Sequence, residues 1–224
     1  MGFGRSLEEF MKRLTILHAS RAAVDPVATY YAARRPEWQI TNILDDGIMR
    51  HLRERQWDAA VARLCDWAKA ASHAYGADAI LITCSALPVR ALLELKERVA
   101  QPLIKIDEPM AGLAVEKGSR IGVLSTFPAT RETTNDLLRW AAGDRKIVIE
   151  EELEPAALEA LLAGDAGRHD EMVLATVERF RGRVDVLVLA QVSMARLAKE
   201  IEARLGIPVL ESLSTSLAYL GAQK

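Results

Sequence analysis

Eight short runs of strand-forming residues alternate with helical stretches along the chain, and this order restricts the possible folds more than any other feature. Few polar residues interrupt the runs, so parallel sheets covered by helices on both faces are expected. Half of the residues are hydrophobic and only 5% are aromatic, which also favours helices packed on strands. The predicted class is α/β with doubly wound parallel sheets. The runs are LTILHAS (14–20), WQITNIL (38–44), AILITCS (79–85), PLIKI (102–106), IGVLSTF (121–127), KIVIEE (146–151), VDVLVLA (184–190) and PVLES (208–212).

The second half of the chain repeats the pattern of the first at a nearly constant offset of 107 positions. Several matches at one offset favour an internal duplication over coincidence. We therefore predict two pseudo-symmetric doubly wound lobes that face each other across an inter-lobe cleft. The matched pairs are Arg13 with Arg120, Leu17 with Leu124, Ile40 with Ile147, Asp78 with Asp185, Cys84 with Gln191 and, after a slip of one residue, Pro102 with Pro208.

The repeat also predicts the domain boundaries. Residues 1–11 are expected to form an N-terminal tail. The first lobe is predicted to contain residues 12–105 together with 208–224, because the segment after Pro208 is expected to return to it. The second lobe is predicted to contain residues 106–207.

Composition excludes several classes of function. The formal net charge of −2 gives no basic surface for nucleic acid or for an anionic membrane. No apolar run approaches the roughly 20 residues that span a bilayer, and the first residues lack the apolar core of a secretory signal. Two cysteines and four scattered histidines indicate neither a disulfide scaffold nor a metal site. A cytoplasmic enzyme or binding protein is the expected class.

The tips of the predicted strands, meaning the residues directly after each carboxyl end, are the expected ligand-binding positions in doubly wound sheets. No glycine-rich phosphate loop follows any strand, so no nucleotide cofactor is expected. Small hydroxyl residues and the N–H groups at helix starts suit a small carboxylate instead. The predicted binding residues are His18, Ser20, Ser85, Ser125, Thr126, Thr130 and Ser193.

Cys84 lies at the tip of the third strand, before a helix that is predicted to begin near Ser85. A thiol at a helix N-terminus has a lowered pKa and can exchange a proton with carbon or act as a nucleophile. The alternative is an inert cysteine buried at a strand end. Cys65 lies on the apolar face of a helical stretch and is predicted to be a small buried hydrophobic residue.

Three segments in this order resemble the aspartate/glutamate racemase superfamily, which includes hydantoin racemases, maleate isomerases and arylmalonate decarboxylases. TCSA around Cys84 is similar to the family's Cys-Asn-Thr tip, and LSTFPAT (124–130) to its Gly-Thr-x-x-Thr loop. LAQVSM (189–194) stands where the family has a late Cys-Thr tip. The resemblance runs from about Arg13 to Tyr219. It implies cofactor-independent amino acid metabolism with Cys84 as an acid/base at the α-carbon of a small carboxylate, often in a homodimer.

The sequence departs from the family pattern at the third segment. Gln191 replaces the second cysteine, and Ser193 replaces the acidic or histidine helper that some members carry. Racemisation by two bases needs an acid/base group on each face of the α-carbon, and an amide does not ionise. Gln191 is therefore expected either to stabilise negative charge on the substrate or only to line the cleft.

Other residues are candidates for the missing base. His18 titrates in the right range, and Asp45 or Asp46 is placed either to orient it or to cap the next helix. His169 beside Asp170 is a second candidate, although this segment is also typical of a solvated helix start.

Three functions stay open. A racemase or isomerase that uses Cys84 is the leading one. The single thiol also suits a decarboxylase or a cis-trans isomerase. The third possibility is a carboxylate-binding protein without catalysis, in which Ser20, Thr126 and Ser193 form the clamp.

Overall fold

A computed structural model describes residues 12–222, so the predicted N-terminal tail lies outside the described residues. The described chain divides into two compact units. The first unit comprises the residues up to Cys84 together with Arg90–Lys105, and the second comprises Ser85–Val89 and the residues from Ile106 onward. None of the described helices is both long enough and apolar enough to span a membrane.

The first unit contains a four-stranded parallel sheet with the strand order β2-β1-β3-β4. Its central strand β3 is buried on both faces, whereas the edge strand β2 is partly exposed. Its elements are β1 (Arg13–His18), α1 (Arg21–Arg34), β2 (Gln39–Leu44), α2 (Gly47–Arg53), α3 (Trp57–Tyr75), β3 (Ala79–Ile82), α4 (Val89–Arg98) and β4 (Leu103–Lys105).

The second unit contains another four-stranded parallel sheet, with the matching order β6-β5-β7-β8. Apolar side chains from both faces of this sheet pack against helices in two buried clusters. The α/β class and the two doubly wound sheets are thus confirmed. The elements are α5 (Glu108–Lys117), β5 (Arg120–Ser125), α6 (Pro128–Ala142), β6 (Val148–Leu153), α7 (Pro155–Leu162), α8 (Ala166–Val177), β7 (Val186–Leu189), α9 (Ala198–Leu205), β8 (Val209–Glu211) and α10 (Ser212–Ala222), with 3₁₀ turns at Glu178–Phe180 and Val192–Leu197.

The predicted place of residues 208–224 is wrong, because the described part of this segment belongs to the second unit. Strand β8 pairs with β7, where Val209 lies opposite Leu187. Helix α10 then packs on α5 of the same unit. The physical reason is that the β7 edge offers a row of open hydrogen-bonding groups, and pairing with β8 satisfies them.

Each unit has an equivalent Arg–Asp ion pair at the start of its central strands. Asp78 accepts hydrogen bonds from the backbone N–H of Arg13 at 2.8 Å and from its guanidinium at 2.9 Å. Asp185 does the same for Arg120, at 2.8 and 2.7 Å. These bonds lower the pKa of both carboxyl groups below the usual aspartate value. The duplication inferred from the offset of 107 is thus visible at the level of single contacts.

The edge strands β2 and β6 are offset from each other by a different number of residues than the sequence comparison inferred. Leu14 pairs with Ile40, and its counterpart Ile121 pairs with Ile149 rather than with a residue two positions earlier. The predicted match of Ile40 with Ile147 is therefore wrong by two residues. The connection that leads into β6 is free to absorb such a slip, because the register is set by strand pairing and not by loop length.

Candidate active site

The tip of the first sheet contains a buried histidine whose two ring nitrogens are both engaged. Nε2 of His18 lies 2.9 Å from Asn42 Oδ1, and Nδ1 lies 3.1 Å from Thr83 Oγ1. Burial lowers the pKa of His18, and the contact with Asn42 opposes this shift only in part. The neutral ring, which donates from Nε2 and accepts at Nδ1, fits both contacts. His18 thus holds Thr83 in place and offers no unoccupied nitrogen to a substrate.

Cys84 follows Thr83 at the end of β3 and is a buried cysteine that forms no disulfide bond. Its Sγ atom lies 3.8 Å from Sδ of Met49 on α2. The prediction that a helix begins near Ser85 is wrong, because α4 begins at Val89. Pro88 disfavours helical geometry at the residue before it, so the chain forms a turn first. The field of a helix N-terminus falls off within one turn, and it is therefore not a source of activation for this thiol.

The other candidate residues of the first unit lie at helix starts or inside a helix. Asp45 accepts hydrogen bonds from the Gly47 backbone at 3.1 Å and from Trp67 Nε1 at 2.8 Å, so it starts α2 and does not orient His18. Ser20 lies at the N-cap position of α1, where it is exposed and makes no capping bond. Cys65 is buried in α3, as predicted, and burial raises its pKa.

The tip of the second sheet brings together an amide and two hydroxyl residues. Oε1 of Gln191 accepts a hydrogen bond from the backbone N–H of Thr126 at 3.1 Å. Ser125 and Thr126 are 0% and 1% exposed. Among the described residues, Ser125 Oγ, Thr126 Oγ1 and Gln191 Nε2 are buried without a hydrogen-bond partner. Buried polar atoms of this kind are rare in folded proteins, and three at neighbouring strand ends suit a polar ligand.

The remaining predicted residues of the second unit lie at the start of α6, in the 3₁₀ turn after β7 and in the segment after Cys84. Thr130 is buried in the first turn of α6, after Pro128 has started that helix. Ser193 lies in the 3₁₀ turn after Gln191, and its carbonyl accepts a hydrogen bond from Arg196. Ser85 belongs to the second unit, and its carbonyl accepts a hydrogen bond from Thr133.

The segment around His169 is a helix start with exposed residues, as the alternative predicted, since α8 begins at Ala166 and residues 164–168 are exposed; the His169 side chain itself is buried. It is fully buried, and its Nδ1 atom lies 2.7 Å from Asp170 Oδ1. Asp170 also pairs with Arg196 at 2.5 Å. This network ties α8 to the 3₁₀ turn after Gln191. Sequence reasoning named the first two residues but missed Arg196, since the 26 positions between it and Asp170 give no local signal.

Sequence reasoning also missed the tip of β8. The Glu211 carboxylate accepts hydrogen bonds from the backbone N–H groups of Leu213 at 2.6 Å and Ser214 at 2.9 Å, and thereby caps α10. Ser212 Oγ is buried without a partner in the described chain. The sequence does contain a signal for this tip, because the polar pair Glu211 and Ser212 stands at the end of the strand, as polar residues do at the other tips.

Residues 35–220 match the family described as Asp/Glu/hydantoin racemase, which is most of the chain. The chain belongs to this family. It is 30% identical over 150 residues to glutamate racemase from Aquifex pyrophilus, a match that covers 63% of this chain and 58% of that enzyme. The chain therefore spans less than two thirds of this relative's length.

Two solved structures of low sequence identity share the fold of this family member. The allantoin racemase of Klebsiella pneumoniae aligns with a TM-score of 0.69 and 19% identity, over 94% of this chain and 86% of that one. Unliganded arylmalonate decarboxylase aligns with a TM-score of 0.63 and 14% identity, over 95% of this chain and 94% of that one. The same fold thus occurs in a protein described as a racemase and in one described as a decarboxylase, so the fold by itself does not decide the reaction.

The described groups limit the chemistry that each unit offers. The first unit has a thiol at a strand end, and the second has hydroxyl groups and a carboxamide with unpaired donors. Within residues 12–222, no group of three or more His, Cys, Asp or Glu side chains is arranged to hold a metal ion. Among the predicted residues at the strand ends of both units, Cys84 is the one with a thiol side chain, the group that serves as a nucleophile or acid/base in proteins.

Proposed function

We propose that this family member is a racemase-like isomerase that moves a proton at the α-carbon of a small carboxylate, with Cys84 as the acid/base and no cofactor. The observation that carries the proposal is the place of Cys84 at the carboxyl end of β3, in a chain that belongs to a racemase family. The thiolate removes the α-proton and leaves the electron pair in an enediolate of the substrate. Inversion follows when a proton from solvent water returns to the opposite face of the α-carbon, and exchange with retention follows when the thiol returns it to the same face. An amino acid is the proposed substrate, since the Aquifex relative is a glutamate racemase.

The polar groups of the second unit have a separate proposed role. Ser125 Oγ, Thr126 Oγ1 and Gln191 Nε2 are hydrogen-bond donors with no partner in the described chain, and we assign to them the oxygens of the substrate carboxylate. Donors that are already oriented stabilise the negative charge that develops on these oxygens when the proton leaves. Thr130 and Ser193 flank the donors. Association into a homodimer and a cytoplasmic location are further parts of the proposal.

A decarboxylase is the second candidate, and the amide of Gln191 favours it. In this reaction the bond between the α-carbon and one carboxylate breaks, and carbon dioxide leaves. The electron pair stays on the α-carbon and takes the proton of the Cys84 thiol, which solvent then replaces. One acid is enough for this step, whereas racemisation by two bases requires a second acid/base group.

Solvent deuterium incorporation tests the proposal directly. Amino, hydroxy and malonic acids are incubated with the protein in D₂O, and deuterium at the α-carbon is measured by mass spectrometry. We expect incorporation with at least one acid, and a loss of about 10²–10⁴-fold in Cys84→Ala. Cys65→Ala is the matched control and is expected to retain activity, because Cys65 lies in the core of α3.

The outcomes separate the candidates. Incorporation with inversion indicates a racemase, and incorporation that follows loss of carbon dioxide from a malonic acid indicates a decarboxylase. Full activity in Cys84→Ala would refute the assigned role of the thiol. Binding of a carboxylate without any incorporation would leave the non-catalytic binding protein as the correct function.

A further inference from the structure

The chain passes from the first unit to the second directly after Cys84. Residues Ser85–Val89, here called the crossing loop, group with the second unit, and the chain returns to the first unit at Arg90. The proposed acid/base is therefore the last residue of the first segment of one unit and is covalently bonded to a loop that groups with the other. The position of the crossing loop must affect the backbone at Cys84, because only one peptide bond separates them.

Two contacts hold the crossing loop on the second unit. The hydroxyl group of Thr133, on α6, donates a hydrogen bond to the carbonyl of Ser85 at 2.7 Å. Val89, at the other end of the loop, packs against the buried cluster that contains Leu137 and Leu138 of the same helix. Both ends of the loop thus contact the second unit, one through α6 and the other through this buried cluster.

Three carbonyl oxygens lie within hydrogen-bond distance of the Thr133 hydroxyl oxygen, and the carbonyl oxygen of Ser85 is the nearest of them. Within its own helix, the carbonyls of Ala129 and Thr130 lie 3.0 and 3.1 Å from the hydroxyl oxygen. A hydroxyl group has one hydrogen to donate, and the shorter distance favours the loop carbonyl. A threonine inside a helix ordinarily bonds to its own helix, so the contact with the loop is an added function of this side chain.

Hydrogen bonds therefore hold both the residue before Cys84 and the residue after it. On the preceding side, the imidazole of His18 fixes the hydroxyl group of Thr83 at 3.1 Å. On the following side, Thr133 fixes the carbonyl of Ser85. A thiol that transfers a proton must stay within a narrow range of positions, and small displacements cost large factors in rate.

We propose that Thr133 is a positioning residue for the Cys84 thiol. This inference rests on the role proposed for Cys84 above. Thr133 touches no reacting atom in this mechanism. Thr133 acts through the crossing loop. Its hydroxyl group holds the Ser85 end of the loop on α6, and this keeps the Cys84 thiol buried and in a fixed position.

Thr133→Val removes the hydroxyl group and keeps the branched shape, while Thr133→Ser keeps the hydroxyl group. Both are made in a Cys65→Ala background, so that Cys84 is the single thiol of the chain. Thr215→Val is the matched control, because the Thr215 hydroxyl bonds to the carbonyl of Glu211 at 2.8 Å within its own helix, four residues back. The measurements are the rate of alkylation by iodoacetamide between pH 6 and 10, and the kcat and KM of proton exchange.

We expect Thr133→Val to raise the alkylation rate of Cys84 by about fivefold and to lower kcat by a similar factor, as the loss of one neutral hydrogen bond predicts. KM is expected to stay unchanged, because Thr133 does not bind the substrate. Thr133→Ser should restore both rates, and Thr215→Val should match the parent.

Alkylation is measured without any substrate, so this inference and the proposed function can fail separately. If no acid exchanges its proton, the proposed function fails, while the alkylation rates still decide the role of Thr133. Equal alkylation rates in the parent and in Thr133→Val would overturn the inference. So would a serine variant that behaves like valine.

Discussion

The two units share one backbone plan and differ at the ends of their strands. Each has a parallel sheet with equivalent strand order, and each has an Arg–Asp pair at the start of its central strands. At equivalent tips, however, the first unit has His18 and a thiol, while the second has Ser125 and a carboxamide. The comparison teaches that strand pairing preserved the scaffold after duplication, whereas the tips were free to acquire different chemistry.

The two units also differ in whether their buried polar groups have hydrogen-bond partners. In the first unit, the polar groups at the tip satisfy one another, since Asn42 and Thr83 engage both nitrogens of His18. In the second unit, three buried polar atoms at the strand ends have no hydrogen-bond partner in the described chain. An unpaired buried donor costs free energy of folding, and a ligand that accepts from it recovers that cost. We therefore expect the first unit to supply reactivity and the second to supply binding.

The largest expected effect comes from making the two tips alike. Gln191→Cys places a thiol at the position that matches Cys84 in the repeat. If the parent exchanges the α-proton without inversion, this variant should gain racemisation by about 10²-fold or more, because it then has two acid/base groups. Polarimetry and chiral chromatography measure the inversion.

Gln191→Ala is the control for this experiment. It removes the carboxamide and supplies no thiol, so it should lose exchange activity without gaining inversion. If the cysteine and alanine variants behave alike, position 191 does not reach the α-carbon and the functional match between the two tips is wrong.

A smaller effect is expected at two glycines that precede the central strands. Gly76 and Gly182 have φ angles of +59° and +71°, so alanine at either site should cost about 1–2 kcal/mol. A Cβ at Gly76 would also lie 2.8 Å from Nη1 of Arg13 and displace it from Asp78, whereas Gly182 faces open space. The additional loss at Gly76 is expected to be below about 1 kcal/mol, since this ion pair is exposed.

Urea unfolding of Gly76→Ala and Gly182→Ala measures the difference. A larger loss at Gly182 than at Gly76 would show that the ion pair of the first unit does not depend on the space left by Gly76. It would also remove one of the reasons for treating the two Arg–Asp pairs as equivalent.

The smallest expected effect is a pH dependence of the first unit that comes from His18. Burial holds the pKa of His18 below its ordinary value of 6.5. The neutral ring stabilises the fold fully above pH 6.5, and this contribution is lost as the pH falls below 6.5, because the unfolded chain takes up the proton first. Ser125, at the matching position of the second unit, does not titrate in this range.

Tryptophan fluorescence during urea unfolding at pH 7.5 and pH 5 tests this prediction in a Trp140→Phe background, since Trp38, Trp57 and Trp67 lie in the first unit and Trp140 lies in the second. His18→Gln should show a smaller loss of unfolding free energy between the two pH values than the parent. An identical loss in both proteins would assign the pH dependence to other groups.

Sequence patterns predicted the scaffold well because the information for it is local. The run AILI of β3 and the run VLVL of β7 are fully buried central strands, as their unbroken apolar composition indicates. The ordered tips also led to the correct family. A cleft between the lobes and the homodimer stay predictions.

The details of the site were less accessible to sequence reasoning. The start of α4 was misjudged because Ser85 and Pro88 are both acceptable near a helix start, and only the turn actually formed decides between them. The partners of His18 come from 24 and 65 positions away, so no local pattern reveals that both nitrogens are engaged.

The sequence by itself determined the alternation of strands and helices, the duplication, and the placement of a thiol and several hydroxyl groups after strands. These properties depend on the periodicity and type of neighbouring residues. Only the tertiary structure decided that β8 and α10 complete the second unit, and that Thr133 holds the peptide after Cys84. Contacts between residues distant in the chain form because of strand pairing and close packing, and a local pattern does not specify which distant partner is chosen.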